Sequence, residues 1–249
     1  MKKLALFFAL AAMFCIASCQ KENNDGNNNG GGKNNDDNYV APITIDGNFE
    51  DWAAIDSKVT TLNCAAGHPK PDLKMAKIYA DKYYVFIYVE FNFAAYDGVS
   101  GVSDAHFHFY INGDKDTSTG GYMGAFDQGD TPCVDVMLEG DVIEGGAVVQ
   151  AYDPTVYTWE GPANYADWND DYWIDQDLSG FVEGKGTAKA FEFVFTRELY
   201  PAGKLANGFT MGMDICVNCW DATGALPNAA PTETNAAGQA PLVTVNIVK

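Results

Sequence analysis

Short apolar segments, separated by glycine, asparagine and aspartate, recur along the chain from residue 39 onward. No stretch with helical periodicity extends beyond about two turns, whereas segments of strand length follow one another at close spacing. The segment 83–91 is apolar on both faces, which is typical of a central strand covered on both sides. At least nine such segments predict an all-β fold, namely a two-sheet antiparallel sandwich of the jelly-roll type.

The predicted strands cover 73–80, 83–91, 106–111, 133–138, 147–151, 155–159, 188–196, 209–217 and 242–248. The first two are joined by Asp81 and Lys82 and are expected to form a hairpin. In the segment 188–196, Glu192 alternates with phenylalanines on either side. The two-residue period therefore predicts that Glu192 lies on the solvent side of its strand.

The N-terminal segment has the pattern of an export signal. Lys2 and Lys3 precede an apolar stretch, 4–18, which is too short to span a bilayer. The stretch ends in Ile-Ala-Ser-Cys, which resembles the lipobox of bacterial lipoproteins, so Cys19 is the expected lipidation site. An ordinary signal peptide with a chance cysteine at this position is the alternative.

Residues 20–38 contain eight asparagines, four glycines and no apolar side chain. Such a segment cannot bury a core, and as a flexible coil it would have a reach of about 25 Å. Lys21 and Glu22 resemble the short charged signal that sends many lipoproteins of the Bacteroidota to the outer face of the outer membrane. The predicted organisation is thus a signal peptide (1–18), a lipidated tether (19–38) and one β-domain (39–249).

The chain is acidic, with a formal net charge of −19 that becomes more negative when Lys2 and Lys3 leave with the signal. An acidic surface repels phosphates, so nucleic acid is excluded as an expected partner. Solubility is the simplest reason for the acidity. Carboxylates that hold a hard cation are the functional alternative.

Four cysteines remain for pairing after Cys15 and Cys19 are set aside: Cys64, Cys133, Cys216 and Cys219. They allow three disulfide connectivities, and the sequence does not choose among them. Cys216 and Cys219 form a CxxC motif, but the motif continues a strand and does not open a helix, as a redox CxxC would. We therefore expect a structural role for it.

Aromatic and polar side chains are interleaved in the segment 152–173. Flat rings stack on the C–H faces of sugars, and amide and carboxylate groups bond to the sugar hydroxyls, so this composition is typical of a carbohydrate site. Tryptophans that plug the end of a sandwich are the alternative. The predicted binding residues are Trp159, Trp168, Trp173, Tyr165 and Asn164, and Trp168 and Trp173 are expected to be more exposed than Trp159.

Several segments, in order, resemble family 9 carbohydrate-binding modules and related DOMON-like domains. They are "ITIDG" with "DW" (43–52), "AKIYADKYYVFIYVE" (76–90), "FHFYINGDKDTST" (107–119), "KAFEFVFTREL" (189–199) and the strand within 208–221. The resemblance implies a β-sandwich that binds a polysaccharide or oligosaccharide without catalysis. It also implies a structural calcium ion and other glycan-utilisation proteins of the cell surface as partners.

Asn112, Asp114 and Asp116 crowd oxygen donors into a loop directly after a strand, which is the ligand chemistry that calcium requires. A plain turn uses the same residue types. Asp127, Asp130 and Asp135 are further possible ligands. The spacing is not that of an EF-hand, because no glutamate stands at the twelfth position.

His106 and His108 point to one face of their strand and are candidates for a transition metal, although no third ligand stands at recognisable spacing. A haem site that uses methionines such as Met123 is a more distant alternative. Two of Glu139, Glu144, Glu183 and Glu192 would have to pair in a divergent glycoside hydrolase or lyase. A structural component of a surface complex is the remaining alternative.

Overall fold

The computed structural model describes residues 39–122, 124, 126, 132–176, 182–199 and 204–249. Cys19, the signal segment, the tether, Met123, Asp127 and Asp130 lie outside the described residues. The described residues before Ile45 contain no helix or strand, and Ile45–Lys249 forms one compact unit. None of the helices in the described ranges has the length and apolar character needed to cross a bilayer.

One short α-helix, α1 (Asp51–Ala54), precedes thirteen strands in the described part of the chain. The strands are β1 (Thr60–Asn63), β2 (Leu73–Ala80), β3 (Tyr84–Phe91), β4 (Ala105–Asn112), β5 (Val136–Glu144), β6 (Ala147–Val148), β7 (Thr155–Trp159), β8 (Trp173–Asp175), β9 (Val182–Gly186), β10 (Ala190–Thr196), β11 (Phe209–Val217), β12 (Gly224–Leu226) and β13 (Val243–Val245). Short 3-10 turns lie at Asp56–Lys58, Ala94–Tyr96, Gly98–Gly101, Asp170–Tyr172 and Arg197–Leu199.

The strands form two antiparallel sheets. The smaller sheet has the order β1-β2-β3-β10-β9, and the larger has the order β12-β11-β4-β5-β7-β8, with β13 paired to β11 and β6 to β5. All the strand pairings are antiparallel. The predicted all-β, two-sheet sandwich is therefore confirmed.

Phenylalanine rings fill the space between the sheets. Phe107 and Phe109 of β4 meet Phe193 of β10 with ring centroids 5.0 and 5.1 Å apart, and all three side chains are fully buried. Because side chains alternate along a strand, the core residues of β4 leave its other residues on the outer face of the larger sheet. That outer face carries the site described below.

The predicted hairpin of β2 and β3 and the strands β4, β7 and β11 are confirmed within one or two residues. The segment 133–138 starts its strand later and continues to Glu144, because β5 pairs along its length with β4. Only Val243–Val245 of the last predicted strand is extended in the sheet. The short strands β1, β8, β9 and β12 were not predicted, since three to five residues carry little periodicity.

Glu192 is buried, so its predicted position on the solvent side is wrong. It does lie on the face opposite the phenylalanines, but the segment 46–52 covers that face. Its carboxylate accepts hydrogen bonds from the backbone N–H groups of Asp46 and Gly47 at 2.9 and 2.7 Å and from Trp52 Nε1 at 3.2 Å. The carboxylate thus ties the start of the domain to the smaller sheet.

Candidate functional site

The outer face of the larger sheet is lined by side chains that alternate with the core. On β4 these are His106, His108 and Tyr110, which stand between the buried Phe107, Phe109 and Ile111. The same alternation places Asp214 and Cys216 of β11 and Met137 and Glu139 of β5 on this face. Polar groups thus collect at the centre of a sheet instead of at its edge.

Strand register brings His108 between two carboxylates. His108 lies opposite Asp214 on β11 and opposite Glu139 on β5. Its Nδ1 is 2.7 Å from Asp214 Oδ1, and its Nε2 is 3.4 Å from Glu139 Oε2. His108 and Asp214 are both buried, so the pair is shielded from water.

The electrostatics of this group follow from burial and proximity. Burial opposes charge on His108. The negative charge of Asp214 and the hydrogen bonds of the His108 ring to Asp214, Cys216 and Glu139 nevertheless hold the pKa of His108 well above its usual value. The hydrogen bond from His108 lowers the pKa of Glu139. Burial, followed by the charge of Asp214, raises the pKa of Tyr110 well above its usual range.

Cys216 completes the buried group. One ligand atom each from His108, Asp214 and Cys216 lies within 4.8 Å of the other two, and no other set of three histidine, cysteine or carboxylate side chains in the described ranges is as close. Burial raises the pKa of the Cys216 thiol, and the hydrogen bond with His108 opposes that rise. The group therefore combines a nitrogen, an oxygen and a sulfur donor.

A cleft of about 760 Å³ opens over this group. Its aromatic lining consists of Tyr110, Tyr122, Tyr157, Trp168, Trp173 and Trp220. Its polar lining consists of Lys70, His108, Glu139, Asp170, Asp214 and Asp221. A cleft of this size, with apolar walls and a few convergent polar groups, has the character of a small-molecule binding site.

The tryptophans form the walls of the cleft. Trp168 and Trp173 are nearly parallel, with ring centroids 6.3 Å apart, and Trp168 donates its indole N–H to Asp170 at 2.6 Å. Trp220 stacks on His106 with centroids 4.1 Å apart and an interplanar angle of 5°. Trp220 is 71% exposed and Trp168 is 46% exposed, so both present ring surface to a ligand.

Trp159 supports the cleft from behind. Its ring lies 5.0 Å from that of Trp173, and its indole N–H donates to the carbonyl of Pro162. Gly121 gives it room, because a Cβ at this position would lie 2.2 Å from the Trp159 ring. Trp159 is thus packed on a residue of the cleft and is not among its lining residues.

The structure separates the five residues predicted to bind sugar. Trp168 and Trp173 line the cleft, whereas Tyr165 stacks on Trp159 with centroids 6.4 Å apart. Asn164 has a positive φ and donates to the carbonyls of Thr117 and Pro132, so its amide joins two loops. The prediction that Trp173 is more exposed than Trp159 is wrong. Trp173 lies on β8, which pairs with β7, and only 5% of Trp173 is exposed.

Trp173 nevertheless has one unused polar group. Its indole N–H is buried and has no hydrogen-bond partner among the described residues.

Trp220 was not predicted from the sequence, because it follows the CxxC motif and stands about fifty residues beyond the aromatic segment. A tryptophan shortly after the end of the predicted strand 209–217, next to Asp221, was the available sequence signal.

The predicted calcium loop is closed by its own hydrogen bonds. Asn112 accepts from the N–H of Lys115, Asp114 from that of Asp116, and Asp116 from both the N–H and the hydroxyl of Ser118. These are the bonds of side-chain-closed turns. Asp135, buried beside the loop, accepts from the N–H of Gly113, and burial followed by the nearby charges of Asp114 and Asp116 raises its pKa to about 7.

Of the remaining predicted cysteines and glutamates, only Cys216 and Glu139 line the cleft. Cys64, Cys133, Cys216 and Cys219 are all free thiols. Of the four candidate glutamates only Glu139 lines the cleft, and Glu183 and Glu192 belong to the smaller sheet. The larger sheet therefore brings one glutamate of the four to the cleft, beside Asp214.

No protein-family model matches this chain, and no curated protein matches it. The resemblance to family 9 carbohydrate-binding modules therefore stays a prediction. The fold and the site together define an all-β sandwich with an aromatic and acidic cleft on the outer face of its larger sheet.

Proposed function

We propose that the protein binds carbohydrate in this cleft, as a non-catalytic module. The observation that carries the proposal is the arrangement of the exposed Trp168 and Trp220 rings around a floor of carboxylates and tyrosines. Indole faces stack on pyranose rings, and Glu139 and Asp170 offer acceptors for sugar hydroxyls. The unpartnered indole N–H of Trp173 is a donor that a bound hydroxyl could satisfy.

The proposal includes a location and partners. A lipid on Cys19 and the tether of residues 20–38 would hold the domain on the outer face of the outer membrane, next to other glycan-utilisation proteins. The support for this part is the N-terminal sequence alone. Palmitate labelling that is lost in Cys19→Ser would support the anchor, and equal labelling of both forms would contradict it.

Affinity electrophoresis in gels that contain plant, host or microbial glycans tests the binding proposal. Trp168→Ala is expected to reduce affinity for a bound glycan by at least about tenfold, because stacking on an aromatic face is lost. Ile174→Ala is the matched control, since Ile174 is 37% exposed on β8, next to Trp173, and does not line the cleft. Retardation by none of the glycans would overturn the proposal.

The arrangement of Glu139 and Asp214 favours binding without turnover. A glycosidase pair needs two carboxyl groups across the scissile bond, and Glu139 and Asp214 are already joined through His108. Incubation of a bound glycan with the protein is expected to release no reducing ends. Release that disappears in Glu139→Gln would instead establish a hydrolase.

We also propose calcium for the loop of Asn112, Asp114 and Asp116. The support is the oxygen donors that the loop brings together beside the buried carboxyl of Asp135, whose pKa is raised first by burial and then by the charges of Asp114 and Asp116. A hard cation with oxygen ligands would relieve the repulsion among these carboxylates. Calcium is expected to raise the melting temperature of the wild-type chain and not that of Asp114→Asn. An equal rise in both, or no rise, would contradict the proposal.

A further inference from the structure

We propose that His108, Asp214 and Cys216 form a binding site for a thiophilic divalent cation, Zn²⁺, in the floor of the cleft. This inference goes beyond carbohydrate binding and does not depend on it. The three residues lie on two neighbouring strands. Asp214 and Cys216 are two positions apart on β11, and His108 on β4 lies directly opposite Asp214. The hydrogen bonds of the sheet, and not a loop, hold the backbone of these three residues in position.

The distances suit a small cation. The three ligand atoms lie within 4.8 Å of one another, and Nδ1 of His108 is 2.7 Å from Asp214 Oδ1. Around tetrahedral Zn²⁺, with bonds of about 2.0 to 2.3 Å, ligand atoms are roughly 3.3 to 3.8 Å apart. Side-chain rotations that move the three ligand atoms by about 1 Å therefore accommodate the ion without a change in the backbone.

Glu139 and Tyr110 contact the proposed ligands in the way that supporting residues contact zinc ligands in proteins. If Nδ1 of His108 binds the ion, Nε2 is left to donate to Glu139, whose Oε2 is 3.4 Å away. A carboxylate on the second nitrogen of a ligating histidine fixes the orientation of the ring and strengthens the ligand. Tyr110, which is buried beside Asp214, is placed to hold the ligating carboxylate in the same way.

The donor set selects the class of ion. Thiolate and imidazole are poor ligands for calcium and magnesium and good ligands for zinc, and one carboxylate is common in zinc sites. All three ligand side chains are buried in the floor of the cleft. The group faces the cleft, so a fourth position would be open to water or to a ligand hydroxyl.

Metal binding by the reduced full chain tests the proposal directly. Isothermal titration with Zn²⁺ is expected to show one tight equivalent, and Co²⁺ is expected to give a thiolate-to-cobalt charge-transfer band in the near ultraviolet. Cys216→Ser should abolish this band and weaken Zn²⁺ binding severely. Glu139→Gln should weaken Zn²⁺ binding by roughly 10 to 100-fold and keep the band, because it removes a supporting residue and no ligand.

Cys219→Ser is the matched control, because Cys219 belongs to the same CxxC motif but is exposed and outside the group. This variant should bind Zn²⁺ as the wild type does. The proposal is overturned if the reduced wild-type chain binds no Zn²⁺, if Cys216→Ser binds it equally well, or if Cys219→Ser loses binding as Cys216→Ser does. Circular dichroism of each variant distinguishes loss of a ligand from loss of the fold.

Discussion

At the scale of single residues, His108 and Glu192 show how this sandwich accommodates buried ionisable groups. His108 is held between Asp214 and Glu139, and Glu192 receives three hydrogen bonds from the start of the domain. Buried charge is costly unless it is paired or hydrogen-bonded.

Asp135 makes stability depend on pH. Its pKa is about 7 in the folded chain and about 4 in an unfolded one, so the fold favours the protonated form. Stability is therefore lost as pH rises through about 4 to 7, by on the order of 4 kcal/mol when the group is fully ionised. Urea unfolding of Asp135→Asn, which keeps an acceptor for Gly113, should show a smaller decline over this range. Parallel pH profiles of the two chains would contradict this account.

Glu192→Ala is expected to destabilise the domain by roughly 2 to 4 kcal/mol, because it leaves the donors of Asp46, Gly47 and Trp52 without their acceptor. Glu192→Gln keeps an acceptor oxygen and should cost less. Equilibrium unfolding in urea, followed by tryptophan fluorescence, measures both. Glu183→Ala on the neighbouring strand is the control, and an equal loss in Glu183→Ala and Glu192→Ala would show that the bonds to Glu192 are not specific.

At the scale of elements, the sequence predicts the long strands. It does not predict short strands or burial that depend on contact with another segment of the chain. Strands β2, β3, β4 and β11 each have eight or nine residues, enough for their apolar pattern to identify them. The three residues of β8 contain no such pattern, and their pairing with β7 is what buries Trp173. Glu192 was misplaced for the same reason, since alternation shows which face a residue occupies but not what covers it.

Gly121 links loop geometry to the cleft. A Cβ at this position would overlap the Trp159 ring, which in turn contacts Trp173. Gly121→Ala is therefore expected to lower stability by about 1 to 3 kcal/mol, as overpacking does, and to weaken glycan binding.

A double-mutant cycle checks the cause of this effect. Trp159→Phe has a smaller ring, so Gly121→Ala should cost less in that background than in the wild type. The cycle is measured by urea unfolding. Additive effects of the two substitutions would show that the Gly121 position does not act through Trp159.

At the scale of the whole molecule, the two sheets have different outer faces. The segment 46–52 covers Glu192 on the smaller sheet, whereas the larger sheet holds an open cleft. The sandwich and the sugar-binding character of the aromatic segment could be proposed from sequence. The site itself could not, because His108 is about a hundred residues from Asp214 and Trp220 in the sequence, and the pairing of β4 with β11 brings it next to them.

The most direct test of the account is the affinity of Trp220→Ala for a glycan that the wild-type chain binds. Trp220 lies outside the aromatic segment 152–173 and enters the site only through the fold. The account predicts that Trp220→Ala binds at least about tenfold more weakly, and that Tyr165→Ala, outside the cleft lining, binds as the wild type does. Unchanged binding in Trp220→Ala together with lost binding in Tyr165→Ala would contradict the assignment of this cleft as the carbohydrate site.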